Sequence, residues 1–75
     1  MTSFKLYDVV ALLRDLPGKN VGTGQVGTIV EQLDDNVFEV EFCNNEGETL
    51  ALETLTSNDL FLLHFEPKSG SLTPY

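Results

Sequence analysis

The hydrophobic pattern of the chain consists mainly of short alternating runs, and the clearest of them is Val37–Cys43. Within it Phe38, Val40 and Phe42 are separated by single glutamates, which is the period of an extended strand with one buried and one wet face. This segment is therefore predicted to be a half-buried β-strand whose aromatic face lies on the core.

The chain has four further strand-like segments, at residues 8–13, 24–33, 48–55 and 60–65. Polar residues rich in Asp, Asn and Gly separate the central segments, and residues 34–36 and 44–47 are expected to form tight turns. Residues 56–59 predict a single short 3-10 turn, capped by Thr56 or Ser57. A helix over residues 7–16 is the alternative interpretation of the first segment, because its apolar residues also recur at helical intervals.

The fourth segment alternates like the third, so it is expected to be the hairpin partner of the third. Leu50 and Leu52 are expected on the buried face, and Ala51 and Glu53 on the opposite face. The core between the central strands is then predicted to consist of Phe38, Val40, Phe42, Leu50 and Leu52.

Five strands with a central meander predict an all-β fold, a small five-stranded SH3-like barrel with one short 3-10 turn. A barrel also removes the exposed edges that an open sheet of this size would have. The barrel domain is expected to span residues 1–65. Residues 66–75 contain two prolines, a glycine and small polar residues, and they are expected to form a flexible C-terminal tail.

Two sequence resemblances agree with this fold. Residues 24–31, GQVGTIVE, are similar to the core of the KOW motif, which occurs in SH3-like barrels of transcription and ribosomal proteins. More broadly, residues 8–64 resemble DUF4926, a family of short bacterial proteins catalogued as a domain of unknown function. The resemblance is carried by Leu12, Leu13, residues 15–17, 24–28 and 39–42, Gly47 and Leu60. It implies a fold and no activity.

The charge of the chain restricts its partners. Twelve acidic and four basic residues give a formal net charge of −8. Nucleic acids and anionic membranes attract Lys and Arg clusters, so we expect neither as a partner, and a basic protein is favoured instead. The single cysteine excludes an internal disulfide and fits a reducing compartment. The short apolar stretch near the N-terminus is not a signal peptide or membrane span, so a cytoplasmic location is expected.

The chemistry-bearing residues form no convincing catalytic pattern. Cys43 and His64, with Asp59 near His64 in sequence, are the only candidates for nucleophilic catalysis. Structural roles explain them better: Cys43 would cap an apolar stripe at a strand end, and His64 would lie in a pairing strand. The turn at residues 34–36 lacks the ligand spacing of a calcium loop, and the glycines at residues 22–27 lack the Lys-Ser or Lys-Thr of a phosphate loop. We therefore expect no enzyme activity, no catalytic residue, no cofactor and no metal.

A protein-binding surface is the remaining candidate. Glu39 and Glu41 share a strand face, and Glu53 on the next strand is expected to join them in an acidic strip, whose simplest interpretation is a solvated surface. The loop at residues 14–25 and an edge at residues 60–65 are the other candidate surfaces. The expected partner-surface residues are Arg14, Lys19, Glu39, Glu41, Glu53, Phe61, Leu63 and Phe65. Alternatively, the stripe on the last strand packs under residues 4–7.

Three functional hypotheses follow in order of preference. The first is a non-catalytic accessory module that binds a basic protein, in a specific version an antitoxin- or immunity-like partner that shields a cationic protein. The second is a KOW-type barrel associated with the ribosome or with transcription. The third is an accessory subunit of a larger enzyme complex. The oligomeric state is left open by the sequence.

The predicted register can be checked by mutation. Replacing Phe42 with Ala should lower the free energy of unfolding by about 3–5 kcal/mol, a large part of the stability of so small a domain. Replacing Glu39 or Glu41 with Gln should leave folding nearly intact, because those side chains face water. Chemical denaturation measures all three variants, and a Phe42→Ala protein as stable as the wild type would contradict the strand register.

Overall fold

The computed structural model describes residues 3–66 and 71–74, with side chains described for residues 3–63. The elements are β1 (Val9–Leu12), β2 (Val26–Asp34), β3 (Val37–Cys43), β4 (Thr49–Thr56), a 3-10 turn (Ser57–Asp59), β5 (Leu60–Glu66) and β6 (Ser71–Pro74). The first segment is a strand, so the helical alternative for it is wrong. The all-β prediction is confirmed.

The strands follow one another in the order β4-β3-β2-β1-β5-β6, and every neighbouring pair is antiparallel. The meander of β2, β3 and β4 and the 3-10 turn that leads into β5 are as predicted. Among the described strands β4 pairs only with β3, so the hydrogen-bonded sheet is open at that edge. Closure into a barrel therefore stays a prediction.

The two predicted turns of the meander are confirmed. Residues 35–36 form the tight connection between β2 and β3. Between β3 and β4, Gly47 adopts a φ of +82°, which favours glycine because it has no side chain to clash. The side-chain oxygen of Asn44 accepts hydrogen bonds from the backbone N–H groups of Glu46 and Glu48, at 2.9 Å each. The polar sequence of this turn thus satisfies its own backbone.

The core lies on one face of the sheet, called here the inner face. Its buried side chains are Val10, Leu12, Leu16, Val21, Ile29, Phe38, Val40, Phe42, Leu55 and Leu60. Leu16 and Val21 belong to the long β1–β2 loop, so that loop packs against the core instead of standing free. Asp15 holds the loop by accepting hydrogen bonds from the backbone N–H and the hydroxyl of Thr23, at 2.8 and 3.0 Å.

A close contact on the inner face joins β2 and β3 at one end of their ladder. Gly27 is directly opposite Phe42 in the ladder, and the aromatic ring lies against the glycine backbone. A Cβ atom at Gly27 would come within 2.7 Å of the ring and within 2.9 Å of the carbonyl oxygen of Glu41. The close approach of β3 explains why this position in the strand is a glycine.

The predicted phase of β4 is wrong. Ala51 lies opposite Phe42 and Thr49 lies opposite Cys43, so Leu50 is an extra residue at an irregularity of the ladder. Leu50 and Ala51 both pack against the core, and the alternation beyond them buries Leu55. Leu52, expected in the core, is 53% exposed because it falls on the opposite face.

The predicted flexible tail lies only partly within the described residues. Ser71–Pro74 forms β6, and its residue Ser71 lies opposite Glu66 of β5. Residues 67–70 and 75 of the predicted tail lie outside the described residues.

The contact at Gly27 generates a testable prediction. Gly27→Ala should lower the free energy of unfolding by about 1–3 kcal/mol, because the added methyl group overlaps the Phe42 ring and a backbone oxygen that cannot easily move. Chemical denaturation of the variant measures this loss.

A double-mutant cycle identifies the cause. The penalty of Gly27→Ala should become smaller in a Phe42→Leu background, where the smaller side chain leaves room for the methyl group. Equal penalties in both backgrounds would mean that the ring is not the group that excludes a side chain at Gly27.

Candidate binding surface

The face of the sheet opposite the core, called here the outer face, is apolar where β5, β1 and β2 meet. Directly opposite residues of neighbouring strands share a face, and Ala11 lies opposite both Phe61 and Val26. Phe61 is 39% exposed and Val26 is 41% exposed. These three side chains form a row of exposed apolar surface across three strands.

The outer face carries two carboxylates on β3, and β4 beside them presents threonines and the exposed Leu52, which lies opposite Glu41. Glu39 lies opposite Thr54, whose hydroxyl donates to Glu39 Oε1 at 2.6 Å. Glu41 accepts a hydrogen bond at Oε2 from the hydroxyl of Thr49, at 2.8 Å. Each carboxylate is therefore held in place by a threonine on the neighbouring strand. No ion pair between described residues includes either glutamate.

The predicted acidic strip does not include Glu53. This residue lies opposite Val40 of the inner face, whereas Glu39 and Glu41 lie on the outer face. Its side chain is 19% exposed, and Oε2 lies 3.6 Å from Nζ of Lys19 in the β1–β2 loop. The shift in β4 phase at Leu50 is the physical reason, because it exchanges the faces of all the residues that follow.

The second ion pair ties the β1–β2 loop to the 3-10 turn. Nε of Arg14 donates to Oδ1 of Asp59 at 2.8 Å, and Oδ2 of Asp59 accepts from the backbone N–H of Thr56 at 3.0 Å. Partial burial raises the pKa of Asp59, but the hydrogen bonds from Arg14 and Thr56 and the charge of Arg14 outweigh it and leave that pKa below the usual value. The same turn is thus capped as predicted.

A second carboxylate with a perturbed pKa, that of Asp15, lies in the β1–β2 loop. The backbone N–H of Thr23, followed by its hydroxyl, lowers the pKa of Asp15 below the usual value. The lowered pKa values mean that the hydrogen bonds favour the ionised form of Asp15 and Asp59, which suits the structural roles of the two carboxylates. The predicted partner-surface residues Arg14 and Lys19 are likewise engaged in ion pairs within the chain.

The predicted edge at β5 is paired over much of its length. Leu60, Phe61 and Leu62 pair with β1, and the second half of the strand pairs with β6. Leu63 is half-buried, while the side chains of His64 and Phe65 lie outside the described residues.

The segment before β1 contributes an aromatic contact to the core. Phe4 packs its ring against Phe38, with 5.8 Å between the ring centroids and an edge-on angle of 61°. Phe4 therefore contacts the inner face at β3, whereas Phe61 lies on the outer face opposite Ala11.

An open groove of about 640 Å³ lies on the outer face between the apolar and the acidic regions. Its lining comes from residues 23–28, at the start of β2, and from Glu41, Cys43 and Asn45. Val26 on one side continues into the apolar row, and Glu41 on the other side continues into the acidic region. We call this depression the outer groove.

Glu41 is a predicted surface residue, whereas Val26 and the groove are not predicted from the sequence. Val26 follows a glycine and a glutamine, and nothing in this local sequence indicates an exposed apolar side chain. The signal that would have identified it is the β1–β2 and β1–β5 register, which brings Val26, Ala11 and Phe61 together. Register between distant segments cannot be read from local alternation.

The candidate catalytic pair is only half described. Cys43 is a free thiol, half-buried, in the lining of the outer groove. The side chain of His64, the other member of the pair, lies outside the described residues. Among the residues described, no group of three or more His, Cys, Asp or Glu side chains is arranged to hold a metal ion.

These features define a small antiparallel all-β protein whose outer sheet surface carries both exposed apolar side chains and carboxylates. Residues 6–62, about three quarters of the chain, match the family described as a domain of unknown function, DUF4926, and the chain belongs to that family. Neither the curated proteins nor the solved structures contain a match to the chain. In the described part of the chain, no helix has the length and apolar character needed to cross a membrane.

The Arg14–Asp59 contact generates a prediction about pH. The folded-state pKa of Asp59 is lower than its value in the unfolded chain, so the ionised group stabilises the fold above that unfolded value, near 3.8. This stabilisation is lost as the pH falls through the folded-state pKa. Asp59→Asn should therefore cost about 1 kcal/mol at neutral pH, and the difference from the wild type should shrink below about pH 4.

Thermal unfolding of both proteins between neutral and strongly acid pH measures this difference. Asp35→Asn, an exposed residue in the β2–β3 turn, is the matched control because it removes the same charge without breaking an ion pair. A gap between wild type and Asp59→Asn that stays constant down to acid pH would show that the ionised carboxylate does not supply the stability.

Proposed function

We propose that this chain is a small, non-catalytic accessory module that binds another protein, and that the partner is basic. The observation that carries the proposal is the distribution of charge over the described residues. The cations Arg14 and Lys19 are used in pairs with Asp59 and Glu53. The net charge of −8 is therefore accompanied by carboxylates on the outer face that no described cation neutralises.

The apolar row beside those carboxylates supports a protein partner over a nucleic acid. Protein interfaces combine an apolar centre with a polar rim, and the outer face offers both within four neighbouring strands, β5, β1, β2 and β3. Nucleic-acid binding requires basic side chains that displace counterions from phosphates. The outer-face residues that the structure describes on the strands include no Lys or Arg.

A specific form of this function is an antitoxin- or immunity-like role in the cytoplasm. Such a protein shields a cationic partner by charge complementarity, which also speeds association and disfavours wrong partners. The charge of the chain supports this form, and its single cysteine fits the reducing compartment that the form implies.

Affinity capture tests the proposal directly. The full-length chain, tagged at one terminus, is used to capture proteins from native lysate with and without nuclease, and mass spectrometry identifies them. We expect one basic protein in stoichiometric amount, retained after nuclease treatment and released by high salt. Ribosomal proteins that disappear with nuclease would instead support the KOW-type alternative, and capture of a large enzyme would support the accessory-subunit alternative.

A further inference from the structure

We propose that the outer groove is the docking site of this module and that it holds an extended segment of the partner carrying Lys or Arg beside an apolar side chain. The inference rests on the proposed function, because it assigns a surface and a ligand chemistry to the same binding activity. It is carried by the composition of the two walls of the groove.

The apolar wall is built by the register of three strands. Val26 lines the groove, and its neighbour across the β1 ladder, Ala11, is itself opposite Phe61. The side chains of Val26 and Phe61 are 41% and 39% exposed. An apolar side chain of a partner that covers this row removes exposed surface from water, which is the main favourable term in protein association.

The carboxylate of the acidic wall is fixed by a hydrogen bond within the chain and can accept a cation. Glu41 lines the groove, is half-buried, and accepts the Thr49 hydroxyl at 2.8 Å, which restricts its rotation before any partner binds. Neither ion pair of the described chain involves it. A partner ammonium or guanidinium at this position would meet a fixed carboxylate and lose little side-chain entropy in doing so.

Charge complementarity favours a basic segment over a second copy of this chain. Each copy carries a net charge of −8, so two outer faces brought together repel each other. A small-molecule ligand fits less well, because bound small molecules are mostly enclosed and this groove is open to solvent.

Strand addition at β4 is a competing way to bind a segment, and two features oppose it. The β4 ladder is irregular at Leu50, and Glu53 on the same strand points to the inner side, where it pairs with Lys19. Irregular ladders and inward charges are devices that protect sheet edges from pairing. The face of the sheet is therefore the better surface.

An NMR titration of the isotope-labelled full chain tests the proposal with defined probes. The three peptides are GKLKFKG, which is basic and apolar, GKGKGKG, which is basic only, and GELEFEG, which is acidic and apolar. We expect the first to bind most tightly, with amide shift changes concentrated at residues 23–28 and 41–45. The second should bind more weakly, and the third should cause no saturable change.

Matched variants locate the site. Val26→Ser and Glu41→Gln should each weaken binding of the first peptide about three- to tenfold, because each removes one wall of the groove. Leu33→Ser and Asp35→Asn should leave it unchanged, since both residues are exposed and lie at the other end of β2 and in its turn. Amide spectra of the free variants verify that each is folded.

The outcomes separate this inference from the proposed function. If a basic partner is captured and binds the Val26→Ser and Glu41→Gln variants as tightly as the wild type, the groove assignment is wrong and the function stands. If the shifts cluster elsewhere, or the acidic peptide binds as well as the basic one, the ligand chemistry is wrong. If no basic partner is captured, the proposed function is wrong.

Discussion

The packing of the Phe42 ring on the backbone of Gly27 is the constraint on which the central sheet depends. A small domain without a disulfide must gain its stability from a thin core, and the Phe42 ring in this contact is fully buried in that core. It also holds β2 and β3 in one register, with Gly27 opposite Phe42 and Thr28 opposite Glu41. A residue larger than glycine would clash at this point with the Phe42 ring and the carbonyl oxygen of Glu41.

The register fixed on the inner face decides the composition of the outer face. Successive residues of one strand point to opposite faces of the sheet. Because Gly27 and Phe42 point inward, the adjacent residues Val26 and Glu41 must point outward. These two residues then lie on either side of the same groove. The surface proposed to bind a partner is in this sense a consequence of how the core packs.

The β1–β2 loop determines which charged side chains form ion pairs within the chain. Leu16 and Val21 anchor the loop on the core, which brings Arg14 to Asp59 and Lys19 to Glu53. These pairs tie the loop to the 3-10 turn and to β4, and neither reaches the outer face. The glutamates of β3 are consequently left with threonine hydroxyls as their described partners. Exposed ion pairs add little stability, so the loop contributes more by its packing and by the charge distribution that it leaves.

The sequence by itself determined the strands, the turns and the inner face of β3, because these follow from local alternation and from residues such as Gly47 that suit one backbone conformation. Only the tertiary structure decided the phase of β4, since the extra residue at Leu50 is defined by the strand opposite it. That single shift moved Leu52 to the surface and Glu53 to Lys19. The groove between Val26 and Glu41 was decided in the same way, because pairing between distant segments has no local signature in a chain.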